Sequence, residues 1–78
     1  MRVRVEFTVE PFVAGAPGPH VLAAVEAAEA GGLTVEFGPF GSSGEGDDTV
    51  VVPAAGTALR AALDAGATRV SIQVSRLD

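Results

Sequence analysis

The sequence predicts an α+β fold of the ferredoxin-like βαββαβ type, a four-stranded antiparallel sheet with two helices on one face. Three segments alternate apolar and polar residues with the period of a half-buried strand, and two others repeat apolar residues at helical spacing and end in glycine. Their order along the chain is strand, helix, strand, an ambiguous Gly/Ser segment, helix, strand. In this arrangement the helices bury the apolar faces of the strands, so we expect a single domain over residues 1–78.

The first strand and first helix have clear boundaries. Four apolar residues alternate with polar ones in the strand, which Pro11 ends: Val3, Val5, Phe7 and Val9. Residues 14–18 are rich in Gly, Pro and Ala and predict a loop, after which Pro19 stands at a first helical position. The helix is predicted over about 19–30, with a left-handed end at the following glycine pair. Its expected buried side carries Val21, Leu22, Val25 and Ala28.

The second strand is predicted over residues 33–37, where Leu33, Val35 and Phe37 alternate with polar residues before Gly38. Residues 41–46 read Gly-Ser-Ser-Gly-Glu-Gly, a composition typical of a flexible loop because glycine and serine are poor strand formers. Periodicity alone does not decide whether this segment is a strand.

The second helix carries one apolar stripe that consists of Val52, Ala55, Leu59, Ala62 and Leu63. This stripe favours a helix that reaches back past Pro53, with Thr49 as N-cap, so that proline removes only the first intrahelical bond. Alternatively, residues 49–52 form a β-branched strand and Pro53 starts the helix. The helix should end at Gly66, and the alternation of Val70, Ile72 and Val74 predicts the last strand.

The sheet face opposite the helices is predicted to be polar and to carry both signs of charge. Its expected members are Arg2, Arg4, Glu6, Thr8, Thr34, Glu36, Arg69, Ser71, Gln73 and Ser75. Such a face meets either water or a second sheet, and its opposite charges make sheet-to-sheet association a reasonable hypothesis.

Size and charge limit the classes of partner. A 78-residue chain buries only about 60% of its unfolded surface, so we expect subunit contacts or a ligand to add stability. The net charge is −5 and no Lys or Arg lies between Arg4 and Arg60, which argues against nucleic acid or an anionic membrane surface and permits a cationic small molecule or a metal. Cysteine is absent, and no apolar run approaches the roughly 18 residues of a membrane span. We expect a cytoplasmic protein.

Catalysis and metal binding find little support in the residue types present. The chain has no Tyr, Lys or Cys, and the single His20 stands at the first helical turn without a Ser and Asp constellation. Glu45, Asp47 and Asp48 resemble a cluster for a hard cation but lack the alternating ligands of a calcium loop, so a solvated acidic turn is the preferred interpretation. We therefore expect no enzyme activity, no metal and no cofactor.

Two phenylalanines stand apart from the alternating core positions. Phe12 and Phe40 each follow a proline at a strand exit, where they could line the mouth of a pocket or plug the end of the sheet. Beside Phe40, the hydroxyls of Ser42 and Ser43 and the carboxylate of Glu45 could complement a flat heterocycle that carries hydrogen-bond donors.

Six segments together resemble the small thiamine-binding family called YkoF-like, over nearly the whole chain. They are Glu6-Phe7-Thr8 with Pro11, Gly18-Pro19 before a helix, Gly32-Leu33, Glu36 with Pro39, residues 41–46, and Ala65-Gly66-Ala67-Thr68-Arg69-Val70. The resemblance implies a ferredoxin-like domain that forms dimers or tetramers and binds thiamine or its hydroxymethylpyrimidine part without transforming it. It also implies that residues 42–46 are the third strand, and that Thr8 and Gly41 in the shared segments belong to the ligand site.

The resemblance and the chemistry of thiamine together assign provisional roles. Glu45 would accept from the pyrimidine amino group or hold a proton toward a ring nitrogen, Ser42 and Ser43 would complete that edge, and Phe12 or Phe40 would cover a ring. The family usually has an aliphatic residue where this chain has Gly44, which predicts a looser third strand. The competing hypothesis is a structural oligomerisation module whose pocket is vestigial.

Overall fold

The structure is a computed structural model that describes residues 1–12, 17–38 and 41–77. Its elements are β1 (Arg2–Glu10), α1 (Pro19–Ala30), β2 (Glu36–Phe37), β3 (Ser42–Asp47), α2 (Asp48–Asp64) and β4 (Arg69–Arg76). The sheet order is β2-β3-β1-β4, and each neighbouring pair is antiparallel. The predicted ferredoxin-like α+β fold is confirmed, and the Gly/Ser segment is the third strand.

The hydrophobic core lies between one face of β1 and the two helices. Val3, Val5, Phe7 and Val9 are all buried, as their alternation predicts, because β1 is an inner strand with neighbours on both sides. The helices meet this face mainly through small side chains. The buried helical residues are Val21, Ala24 and Ala28 of α1 and Val51, Ala54, Ala55, Ala58 and Ala62 of α2.

The stripe predicted for α2 is rotated from the one that is buried. Val52, Leu59 and Leu63 are 54%, 37% and 45% exposed, and Leu22 on α1 is also exposed. The alanines face inward because the helices approach closely: a Cβ placed on Gly31 at the end of α1 would lie 3.1 Å from the Cβ of Ala54. Larger side chains at such contacts would force the helices apart, so the large aliphatic residues lie outside.

The start of α2 differs from both sequence alternatives. Asp47, rather than Thr49, is the N-cap: its Oδ1 accepts hydrogen bonds from the Thr49 backbone N–H at 3.0 Å and from the Thr49 hydroxyl at 2.7 Å. The helix reaches back past Pro53 as predicted, but it begins two residues earlier than a Thr49 cap allows. The proline therefore leaves the Thr49 carbonyl without its helical donor after the first turn has already formed.

Strand β3 alternates small inner residues with polar outer ones. Its register with β1 places Ser42, Gly44 and Gly46 on the core side and Ser43 and Glu45 on the opposite side. A Cβ on Gly44 would lie 2.7 Å from Leu33 Cδ1, so the Leu33 side chain fills the space that an aliphatic residue would need. The glycine is thus compensated by close packing rather than left as a gap.

The connections hold the elements in place. Strand β2 is shorter than predicted: Leu33 is buried, but its N–H bonds the Ala28 carbonyl, so it closes α1 instead of pairing in the sheet. The left-handed residue after α1 is Gly32, with φ of 99°. Nε2 of His20 donates to the Pro11 carbonyl at 2.6 Å and ties the first turn of α1 to the exit of β1. No helix in the described ranges is long and apolar enough to cross a membrane.

Candidate functional site

The candidate site lies on the polar face of the sheet, opposite the helices. Because β1 has β3 on one side and β4 on the other, its outward residues are flanked on both sides. Arg4 stands across from Glu45 of β3, and Glu6 stands across from Ser43 of β3 and Gln73 of β4. Side chains directly across an antiparallel pair lie about 4.5 to 5.5 Å apart at Cβ, so these residues are neighbours on this face.

Two adjoining cavities open on this face. The first has a volume of about 290 Å³ and is lined by Arg4, Glu6, Phe7, Thr8, Gly41, Ser42, Ser43, Ser71 and Gln73. The second has a volume of about 300 Å³ and is lined by Arg4, Thr34, Glu36, Ser43, Gly44 and Glu45. Arg4 and Ser43 border both cavities, so the Arg4 side chain stands at the boundary between them.

The Arg4 guanidinium is held between two carboxylates. Its Nε donates to Glu6 Oε1 at 2.9 Å, and its Nη1 donates to Glu45 Oε2 at 3.1 Å. The other oxygen of Glu45 lies 3.8 Å from Nη2 of Arg2. The hydrogen bond to Glu6, and second to it the hydrogen bond to Glu45, raises the pKa of Arg4 above its ordinary value. The guanidinium therefore bridges the carboxylates of Glu6 and Glu45.

The charge around the cavities is negative despite Arg4. Three carboxylates and one guanidinium line the two cavities: Glu6, Glu36, Glu45 and Arg4. Counting these lining residues leaves a net charge of −2, which becomes −1 when Arg2, whose Nη2 lies 3.8 Å from Glu45, is included. Serine and threonine hydroxyls and the Gln73 amide supply uncharged donors and acceptors. This lining suits a cationic or donor-rich organic ligand.

The structure brings most of the predicted ligand residues together. Thr8, Gly41, Ser42 and Ser43 border the first cavity, and Ser43 and Glu45 border the second. The register of Ser42 turns its side chain toward the helices, where the residue is 6% exposed.

The two phenylalanines have different outcomes. Phe12 is half-buried beyond the end of β1 and belongs to neither cavity lining. Phe40 lies outside the described residues, so its predicted contact with a ring stays a prediction.

Sequence reasoning placed several further residues on the polar face without assigning them to the site. Arg4 and Glu6 form the centre of the site, while Gln73 and Glu36 border it from β4 and β2. The alternation of apolar and polar residues in β1 already predicted that the side chains of Arg4 and Glu6 lie on the polar face. The missing signal was the strand order, because only the pairing of β1 with both β3 and β4 brings these residues together.

A metal centre is not supported by the part of the chain that the structure describes. Within it, no three His, Asp or Glu side chains are grouped to hold an ion. Glu45 bonds Arg4, while Asp47 caps α2 through Thr49, so two members of the acidic cluster have separate structural partners. Hydrogen bonds from Thr49 lower the pKa of Asp47 to about 2.

Solved structures with the same fold come from several organisms. The domain of unknown function DUF77 from Bacillus cereus is 29% identical over 97% of this chain and 76% of its own length, with a TM-score of 0.71. A hypothetical protein from Methanocaldococcus jannascii is 27% identical over 99% of this chain and 82% of its own, with a TM-score of 0.70.

A third structure carries a functional description. It is a Thermotoga maritima protein provisionally assigned to thiamine biosynthesis or salvage, 18% identical over 99% of this chain and 85% of its own, with a TM-score of 0.56. At that identity the likeness concerns the fold. No protein-family profile and no curated protein matches the sequence.

Proposed function

We propose that the protein binds thiamine or its hydroxymethylpyrimidine part on the polar face of the sheet, without transforming it. The observation that carries this proposal is the pair of adjoining cavities with a net negative lining. The description of the Thermotoga maritima protein as one of thiamine biosynthesis or salvage supports the same ligand class. Binding would serve transport, salvage or buffering.

The shape of the site suits a ligand of two linked rings. Each cavity lies at the lower end of the volume range of ligand pockets, roughly 300 to 1,000 Å³, which suits a small ligand or one part of it. Thiamine consists of an aminopyrimidine and a cationic thiazolium joined by one methylene group. A ligand of that shape would use both cavities and pass over their shared boundary at Arg4.

The polar groups suggest which ring occupies which cavity. Glu45 and Glu36 border the second cavity, where carboxylate oxygens would accept from the pyrimidine amino group and hold a proton near a ring nitrogen. Glu6 borders the first cavity and would face the thiazolium charge, with Thr8 and Gln73 left for its hydroxyethyl arm. In this arrangement Glu45 addresses the pyrimidine and Glu6 addresses the cation.

One observation favours the competing function, a structural module with a vestigial pocket. Both oxygens of Glu45 already face guanidinium groups, so a ligand must displace or share them. A carboxylate has about four acceptor positions, which leaves room for an additional donor. A ligand-binding protein and a structural module therefore differ in whether a ligand can displace or share the ion pairs of Glu45 with Arg2 and Arg4.

The test is isothermal titration calorimetry with thiamine and with free hydroxymethylpyrimidine. We expect Glu45→Gln to weaken both ligands roughly tenfold to hundredfold, the range expected for loss of a charge-assisted hydrogen bond worth about 1.5 to 3 kcal/mol. Glu6→Gln should weaken thiamine by a similar factor and leave hydroxymethylpyrimidine nearly unchanged, because that ligand lacks the thiazolium. Recovery of intact ligand by mass spectrometry after long incubation separates binding from turnover.

The matched control is Glu26→Gln, which makes the same change on an exposed position of α1 away from both cavities. It should leave both affinities unchanged and show that the loss of one negative charge is not enough to weaken binding. Absence of binding by the unaltered protein at millimolar thiamine would favour the structural module. Equal affinities for all three variants would remove the proposed site.

A further inference from the structure

The two carboxylates that line the second cavity differ in their partners. Glu45, on β3, faces two arginines: its Oε2 accepts from Arg4 Nη1 at 3.1 Å, and its Oε1 lies 3.8 Å from Arg2 Nη2. Glu36, on β2, lines the same cavity, and within residues 1–12, 17–38 and 41–77 it forms no ion pair. Glu36 is thus the carboxylate of this cavity whose charge no neighbouring guanidinium compensates.

The strand register places these carboxylates on two sides of the cavity. Glu36 stands opposite Ser43 in the pairing of β2 with β3, and Glu45 follows Ser43 by two residues on the same face. Diagonal neighbours of this kind lie about 7 to 8 Å apart. Glu45 reaches toward β1, where it bonds Arg4, whereas Glu36 stands on the other side of β3. A ring in this cavity would therefore meet one carboxylate from each side.

A 4-aminopyrimidine presents unlike groups to its two sides. Its exocyclic amino group donates hydrogen bonds, whereas the ring nitrogen across the ring carries a lone pair and accepts. An ionised carboxylate can only accept. When one carboxylate accepts from the amino group, the other meets the ring nitrogen as acceptor against acceptor, and both lose the hydrogen bonds that water gave them. A proton between them turns this contact into a charge-assisted hydrogen bond.

The ion pairs indicate which carboxylate meets which side of the ring. Glu45 already accepts from Arg4, and a carboxylate has about four acceptor positions, so it can accept from the amino group as well. Glu36 is left for the ring nitrogen. The charged groups of the polar face near Glu36 are Arg4 and Glu6 on β1, Glu45 on β3 and, beside Glu45, Arg2. Strand β4 contributes no charged residue to either cavity lining.

We propose that the second cavity takes up the aminopyrimidine together with one proton, held between Glu36 and the ring nitrogen across from the amino group, an inference that rests on the proposed function. The proton comes from water or buffer, and no covalent bond of the ligand forms or breaks. With the proton on either the nitrogen or the carboxylate, the complex holds one proton more than the separate protein and ligand. Binding therefore weakens as the pH rises, so the pH regulates how much ligand the protein retains.

Isothermal titration calorimetry in buffers of different ionisation enthalpy measures the proton uptake directly. We expect uptake of about one proton per thiamine and per hydroxymethylpyrimidine at slightly alkaline pH, where the free pyrimidine is neutral and free carboxylates are ionised. The Kd of both ligands should then rise about tenfold for each pH unit between roughly pH 7 and 8.5. A ligand that binds without a proton would show neither effect.

Glu36→Gln separates the role of the proton from that of the side chain. The glutamine amide has an N–H that can donate to the ring nitrogen, so binding should persist, with almost no proton uptake and a Kd nearly independent of pH. Glu45→Gln is the matched control in the same cavity: it should weaken both ligands and keep the proton uptake and the pH dependence. Glu29→Gln, at an exposed position of α1, should change none of these values. Circular dichroism verifies that all three variants are folded.

The possible results distinguish this inference from the proposed function. Thiamine binding without proton uptake would mean that a hydroxyl of Thr34 or Ser43 donates to the ring nitrogen, which overturns the inference and leaves the proposed function intact. Proton uptake that persists in the Glu36→Gln protein would place the proton elsewhere and also overturn it. Absence of binding of both ligands at millimolar concentration would remove the proposed function, and the inference with it.

Discussion

Replacement of Arg4 by glutamine should increase the affinity for thiamine. Arg4 donates to Glu6 and Glu45 at 2.9 and 3.1 Å, so its positive charge occupies both carboxylates assigned to the ligand. A bound cation would have to share or displace this guanidinium. Glutamine retains a polar but shorter side chain and removes the charge, which frees the carboxylates and removes repulsion of the thiazolium.

The size of the effect is limited by exposure. The side chains of Arg4, Glu6 and Glu45 are 40%, 51% and 42% exposed, so solvent and salt screen their interactions. Exposed ion pairs each change an equilibrium constant by about one- to fivefold. Loss of the two Arg4 pairs should therefore tighten thiamine binding by up to roughly twenty-fivefold. Hydroxymethylpyrimidine, which lacks the permanent charge, should gain less.

Calorimetry at two ionic strengths measures this prediction. The gain should shrink as salt rises, because screening weakens the repulsion that the substitution removes. Arg60→Gln is the control: it changes the net charge equally on α2, where the side chain is 78% exposed, and should leave affinity unchanged. Weaker thiamine binding by the Arg4→Gln protein would mean that Arg4 holds the ligand directly, and the reasoning would fail.

The remaining predictions concern folding and are measured by urea and thermal unfolding. Gly44→Ala should lower the free energy of unfolding by about 1 to 3 kcal/mol, because its Cβ would lie 2.7 Å from Leu33 Cδ1, whereas Gly56→Ala, where no atom lies within 4 Å, should stabilise α2. Asp47→Ala should lower Tm by about 4 to 8 °C, because Thr49 loses its capping acceptor. The lowered pKa of Asp47, about 2 against 3.8, means that its stabilising contribution is complete above pH about 4 and is lost as the pH falls toward 2. Asp47→Asn should not show that loss, and an unchanged pH profile in this variant would exclude the capping carboxylate as its cause.

The elements that the sequence predicted well are those in which one physical requirement dominates. In β1 the alternation is strong because an inner strand must bury one face and leave the other polar, and the burial of Val5 and Phe7 follows that pattern. In α1 the ends are marked by Pro19 and the glycine pair, and the helix occupies the predicted residues. Local geometry and burial agree in these segments.

Composition alone could not identify β3 as a strand, because packing determines its residue choice. Its inner positions are glycines because Leu33 and Val51 pack against them. A Cβ on Gly44 would lie 2.7 Å from Leu33 Cδ1, and a Cβ on Gly46 would lie 3.2 Å from Val51 Cγ2. The alternation is real, but it alternates small with polar residues rather than apolar with polar. Intrinsic strand propensity misses this pattern, and the resemblance to a known family supplied the correct assignment.

The rotation of the α2 stripe has a related cause. The sequence argument gave most weight to the largest aliphatic residues, whereas close helix packing selects alanine for the buried face and leaves Leu59 and Leu63 outside. Leu59 and Leu63 are 37% and 45% exposed, so the largest aliphatic side chains of α2 lie on its outer flank rather than in the core.

Folding and binding are separated on the two faces of β1. Its odd-numbered residues form the core, where Phe7 also reaches the first cavity, and its even-numbered residues Arg4, Glu6 and Thr8 border the cavities. A substitution on the polar face can therefore change ligand selectivity while Val5 and Phe7 continue to hold the sheet against the helices. The third strand obeys the same division, with Gly44 fitted to the core and Glu45 turned toward the site. A substitution at Arg4 or Glu45 should therefore affect chiefly the proposed ligand site, whereas a substitution at Gly44, which borders the second cavity but packs on Leu33, should affect chiefly folding.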